Sequence, residues 1–274
     1  MYFKIKVLIF QKKNQGFYFI KDRHIYCKCY NLNSFYYFYI KKTGGNKLPI
    51  SFCLKKTQNF FETDIVSYDQ TQLIDSENSL GISEGNGSTS MVFQNDISIS
   101  KQLLKKYLVN HDFKVKKSGK VFDQYFNFYF SPKEFDLYYD KTNSISIFRA
   151  PKKISQDFIV FLKEKHDYSF KDIKIDFKKV TAKVEAINGI WIKVDKQEIN
   201  NQAFFGSKVE NDPEVVTAIN KGKISYAVVR FPYKGDFELV GISKFGNIVV
   251  YNHGLTEKNE LELVYFVYDK IINW

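Results

Sequence analysis

From about residue 101 onward, apolar and polar positions follow two readable periods, broken by Gly, Pro, Asn and Asp. Leu103, Leu104, Tyr107 and Leu108 fall on one face of a helix that Ser100 would cap. Residues 121–130 read as a strand with Phe122, Phe126, Phe128 and Phe130 on one side. The segments 135–139 and 144–148 flank the turn Asp140-Lys141-Thr142-Asn143 and predict a hairpin. Phe158, Ile159, Phe161 and Leu162 group at helical spacing behind a capping Ser155. Ile173, Ile175 and Phe177 alternate with Asp172, Lys174 and Asp176 as a half-buried strand does. Val180, Ala182, Val184 and Ala186 run into Asn188-Gly189 and back along Ile190, Ile192 and Val194, so an Asn-Gly hairpin is expected, because both residues tolerate positive φ.

Asp212-Pro213-Glu214 carries a capping Asp, Pro at the first helical position and an acid in the first turn, and Gly222 closes that helix. Residues 224–231 form a strand ended by Pro232, and 237–243 with 247–251 form a hairpin around Phe245-Gly246-Asn247. Thr256 caps a last helix with Leu261, Val264, Tyr268 and Ile271 on one face, favoured over a strand across 261–267. No repeat of solenoid length recurs. Hairpins interspersed with a few packed helices predict an α+β fold with a largely antiparallel sheet.

The first 100 residues read differently. FYFI, HIYCKCY and SFYYFYI are β-prone but alternate poorly, and Thr43-Gly44-Gly45-Asn46 marks a turn. Residues 76–100 are rich in Ser, Gly and Asn, with three acids and no base. The expected division is therefore a basic, aromatic N-terminal segment (1–75) that reads as an appendage, a flexible acidic linker (76–100) and an α+β domain (101–274). Met91, the only methionine besides Met1, allows a folded unit that begins near it.

Composition then raises a functional question. The chain of 274 residues is 44% hydrophobic and 26% charged, the ordinary globular range. Its formal charge is +11, and of 41 basic residues only Arg23, Arg149 and Arg230 are arginine. Such a charge attracts polyanions. Lysine suits non-specific phosphate contact, whereas base-specific readout favours the arginine fork. Lys, Asn, Ile, Phe and Tyr dominate while Ala, Arg, Pro and Gly are scarce, as A/T-rich codons would produce, so the charge also fits a protein–protein adaptor in which it is incidental. The opening MYFKIKVLIF has too short an apolar run for a signal peptide and no later run is long enough to span a bilayer, so the chain reads as intracellular and cytoplasmic, without a membrane span.

Four groups of residues carry candidate chemistry. Trp191 with Lys193, Tyr125 with Tyr129, and Arg230 with Tyr233 have the aromatic and basic types that stack bases and track a phosphate backbone, so single-stranded DNA or RNA is the leading expected partner and a protein partner the alternative. Asp236 and Glu238, sharing one strand face, with Lys244 after them, would suit a divalent-metal nuclease, and Glu185 with Lys193 makes a looser version of the same set. His24, Cys27, Cys29 and Cys53 are four N/S groups of the kind that hold zinc, although Cys-x-Cys lacks the knuckle of Cys-x-x-Cys. No nucleotide-binding glycine loop and no nucleophile elbow is present, so no cofactor is expected. A non-enzymatic nucleic-acid-binding protein is the leading expectation.

Overall fold

The computed structural model describes residues 11–13, 16–18, 49–68, 87–100, 102–121, 124–196, 199–252 and 254–273. In chain order the strands are β1 (Gln11–Lys13), β2 (Gly16–Tyr18), β3 (Ile50–Asn59), β4 (Ile65–Tyr68), β5 (Ser88–Ile99), β6 (Gln102–Val115), β7 (Gly119–Val121), β8 (Gln124–Phe126), β9 (Tyr129–Asp140), β10 (Ile145–Phe148), β11 (Ser169–Asp172), β12 (Ala186–Lys196), β13 (Ile199–Phe205), β14 (Ile224–Tyr233), β15 (Asp236–Ser243) and β16 (Asn247–Val250). The helices are α1 (Lys152–His166), α2 (Phe177–Thr181), α3 (Pro213–Asn220) and α4 (Glu257–Phe266), the last continued by a π turn over Val267–Ile272. The fold is α+β with a mostly antiparallel sheet. The chain divides into a larger unit (Lys47–Ile175 and Val240–Trp274) and a smaller one (Met1–Asn46 and Asp176–Leu239).

In the larger unit the strands run in the order β15, β16, β3, β10, β9, β6, β5, β4, and β11 pairs with the far end of β3. Alternation along each strand supplies two apolar faces. Tyr107, Val109, Phe135, Leu137 and Phe148 face α1, which buries Phe158, Ile159 and Leu162 among them. Full burial of a side chain such as Phe158 contributes about 2–3 kcal/mol. On the other face lies α4, with Leu261, Leu263 and Val264 buried, and its π turn buries Val267, Tyr268 and Ile271. The hairpin β15–β16 turns at Gly246, whose φ is +76° and where an added Cβ would lie 3.0 Å from the Leu54 carbonyl. A side chain there would be strained and crowded.

In the smaller unit β13, β12 and β14 pair in that order, and β1 pairs with β2. Ile190, Ile192 and Phe204 are buried on the face that meets α3, which buries Val215, Ala218 and Ile219. Asp212 caps α3 as expected, accepting the Glu214 amide at 2.9 Å. β14 turns into β15 through Lys234 and Gly235, both at positive φ.

Several local expectations give way to longer-range pairing. The helix expected from Ser100 is instead the strand β6: Ser100 sits at φ 47° in a tight turn, and β6 is flanked by β5 and β9 along most of its length. Backbone hydrogen bonds on both edges outweigh an ambiguous apolar spacing. The expected strand over 121–130 is divided among β7, β8 and the start of β9. The Asn-Gly hairpin is absent. β12 continues through Asn188-Gly189, with a bulge against β14 between Ile187 and Gly189, and residues 177–181 before it are helical. Asp176 starts that helix by accepting the Lys178 amide at 3.0 Å.

The expected linker ends in β5, whose Met91 is fully buried, and β3 lies between β16 and β10, so the folded unit does not begin near Met91. Those strands are held by partners distant in sequence, which local composition does not reveal. Residues 69–86 and the segments HIYCKCY and SFYYFYI lie outside the described residues.

Candidate nucleic-acid interface

The face of the β13–β12–β14 sheet turned away from α3 is built by strand parity. Ile190 and Ile192 point toward the helix, so Gly189, Trp191 and Lys193 point the other way. The pairing sets Trp191 opposite Ala203 on β13 and Tyr226 on β14, and Gly189 opposite Phe205. The Trp191 ring lies edge-on to Phe205 at 4.9 Å and to Tyr226 at 5.1 Å. Gly189 leaves room for this arrangement, since a Cβ there would lie 3.2 Å from the Phe205 ring and the ring would have to shift slightly. All three rings are half-buried and Lys193 is exposed.

Farther along β14, Arg230 lies about 13 Å from Tyr226 at the usual rise per residue. Its guanidinium carbon stands 4.2 Å from the centroid of Phe237, a ring 47% exposed, and its Nε is 3.6 Å from Glu185. One face therefore carries a row of aromatic rings flanked by Lys193 and Arg230. Rings with exposed surface and nearby cations can stack bases and neutralise phosphates. Lys234 lies over the half-buried Tyr233 ring at 5.3 Å, three residues past Arg230 and on the opposite strand parity. Tyr125 and Tyr129 belong to the larger unit, on β8 and β9, and Tyr129 is 43% exposed.

Of the carboxylate candidates, Glu185 adjoins Arg230, and Asp236 and Glu238 flank Phe237 in sequence. Asp236 is exposed and accepts the Phe237 amide at 2.7 Å, whereas Glu238 follows on the same strand face, half-buried. Lys244 lies in the turn after β15, in the larger unit, where its carbonyl accepts the Ile175 amide at 3.0 Å. Glu185 turns to Arg230. Among the described residues no three His, Cys, Asp or Glu side chains are grouped to hold a metal ion. Cys53 is buried in the core beneath α1, and burial pushes its thiol up to about 11, so it behaves as a small apolar side chain. His24, Cys27 and Cys29 lie outside the described residues.

Two polar groupings were missed by sequence reasoning. Under α4, Lys106 reaches Glu257 at 2.6 Å and Asp136 at 3.3 Å, Tyr138 donates to Glu257 at 2.7 Å, and Arg149 reaches Glu260 at 3.0 Å. Burial alone would raise the Glu257 carboxyl, but the bonds from Lys106 and Tyr138 hold it below its ordinary value. Under α1, His111 Nδ1 and the Thr89 hydroxyl are 2.8 Å apart, and His111 Nε2 lies 3.1 Å from Asp157. Burial lowers the imidazole pKa, against the opposing pull of Asp157. Both groupings tie a helix to the sheet. The only sequence signal for the first is that Asp136 and Tyr138 alternate with the apolar Phe135 and Leu137.

The chain matches no protein-family model and no curated protein. Among the described residues no helix is long and apolar enough to cross a membrane.

Proposed function

We propose that this protein binds single-stranded nucleic acid without strong sequence preference, through lysine–phosphate contacts supported by aromatic stacking. The observation that carries this reading is the row Phe205, Trp191 and Tyr226 on one sheet face, with Lys193 exposed beside it and Arg230 over the exposed Phe237 ring. A sheet covered by a helix on one side and bearing aromatic and cationic side chains on the other suits stacked bases. The scarcity of arginine fits contact with the backbone rather than with base edges.

The chain has two tryptophans, Trp191 and Trp274, so intrinsic fluorescence reports on this face. Titration with an oligothymidylate at about 50 mM salt should quench that fluorescence, and Trp191→Phe should remove most of the quench. Affinity should fall steeply as salt rises. Absence of binding at low salt would overturn the reading.

A further inference from the structure

We propose that the end of the β6–β9 hairpin in the larger unit is the main anchoring arm for the single strand, an inference that rests on the function just proposed. β6 and β9 pair from Lys105 opposite Tyr139 to Val115 opposite Tyr129, whereas β5 follows β6 only as far as Thr89 opposite His111. Beyond that point the hairpin runs on without β5, and the short β7–β8 ribbon follows. Lys114, Lys116, Lys117 and Lys120 are all exposed there, while residues 112–131 contain only Asp112 and Asp123 as acids. Asp112 is engaged at the base of the arm, accepting the Ser88 amide at 2.7 Å and the Ser88 hydroxyl at 3.0 Å.

Aromatic side chains sit among these lysines. Lys114 Nζ is 3.8 Å from the centre of the Phe128 ring, Phe128 meets Phe130 edge-on at 5.7 Å, and Tyr129 is exposed on the other strand parity. At the base, Lys153 from α1 lies 5.1 Å over the Phe113 ring. Closely spaced cations on a narrow arm match a chain of phosphates, and the Tyr129 ring offers a stacking surface to a base that duplex pairing would hide. Phe128 and Phe130 are half-buried against each other and Lys114, which disfavours their insertion into a lipid surface.

The test is fluorescence anisotropy of the full-length chain with a labelled oligothymidylate across a salt series. It compares wild type, a variant with Lys114, Lys116, Lys117 and Lys120 changed to Gln, and a variant with Lys193 and Arg230 changed to Gln. Four lost phosphate contacts should flatten the slope of log K against log salt by about 3, at roughly 0.7 per contact with a single strand. Tyr129→Ala should weaken binding about tenfold and leave the slope unchanged.

An arm variant that binds like wild type while the Lys193/Arg230 variant loses binding would overturn the arm and leave the functional reading standing. Wild-type protein that ignores the oligonucleotide at low salt would overturn both. So would wild-type protein that ignores it yet sediments with phosphatidylserine vesicles.

Discussion

Lys106 and Lys114 belong to the same strand, β6, yet their charges are used in opposite ways. Lys106 points beneath α4, with a side chain only 17% exposed, and lies between Glu257 and Asp136. Burial pushes its pKa down, but the Glu257 bond and the Asp136 charge more than reverse this, so the ammonium is held charged. Lys114 stands on the arm past the end of β5, exposed, with an aromatic ring beneath it. Arg149 and Arg230 differ less: Arg149 is held by the buried Glu260, and Arg230 lies over Phe237 with the exposed Glu185 beside it. Net charge is thus a poor guide to this protein. The cations beneath α4 join helix to sheet, and the arm lysines and Lys193 on the β12–β14 face are presented outward. What each lysine can do depends on where the fold puts it.

The contrast predicts opposite mutational signatures. The largest stability effect should follow Glu260→Ala, which leaves Arg149 beneath α4 without its main partner. A loss of about 3 kcal/mol is expected, at the low end for a broken buried pair because the Arg149 side chain is 32% exposed. The urea midpoint measures it, and the salt dependence of nucleic-acid binding should stay as in wild type.

Acid tests the helix–sheet ties without mutation. His111 is held neutral when folded, its pKa below the ordinary 6.5, so the unfolded chain takes up its proton first as pH falls. The groups facing it are Asp157 from α1, Thr89 from β5, Asp112 next in sequence and Lys133 opposite on β9. Its contribution is therefore complete above about pH 6.5 and lost as pH drops through the folded value. Glu257, held below its ordinary value, adds a loss at lower pH still. Thermal melts from neutral to mildly acidic pH should show a declining Tm, and His111→Gln should remove the upper part of the decline. An unchanged profile in that variant would break the assignment.

In the smaller unit, Gly189→Ala pushes a methyl toward the Phe205 ring and should cost about 1 kcal/mol while altering the Trp191 emission. Lys116→Gln and Lys117→Gln should change stability by less than about 0.5 kcal/mol, as exposed substitutions do, yet each should weaken oligonucleotide binding.

Parts of this organisation were legible in the chain because their signals are local. The caps at Asp212 and Thr256, the Asp140–Asn143 turn and the Phe245-Gly246-Asn247 turn each involve residues within a few positions of one another. What failed depended on distant partners. Leu103, Leu104, Tyr107 and Leu108 satisfy a helical period, and only the flanking strands β5 and β9 make them part of β6. Asn188-Gly189 has the composition of a turn, but its glycine makes room for Phe205 inside a continuous strand. At the candidate interface, parity alone placed Trp191 and Lys193 on one face. Their neighbours Phe205 and Tyr226 required the register of three strands, and the arm lysines required knowing where β5 stops.

The most direct test of the central claim is the slope of log K against log salt for an oligothymidylate, measured for wild type and for the Lys114/Lys116/Lys117/Lys120→Gln variant under identical conditions. The outward lysines acting as phosphate contacts predict a steep wild-type slope that flattens by about 3 in the variant, with an unchanged urea midpoint. Equal slopes in the two proteins, or wild-type binding insensitive to salt, would contradict it.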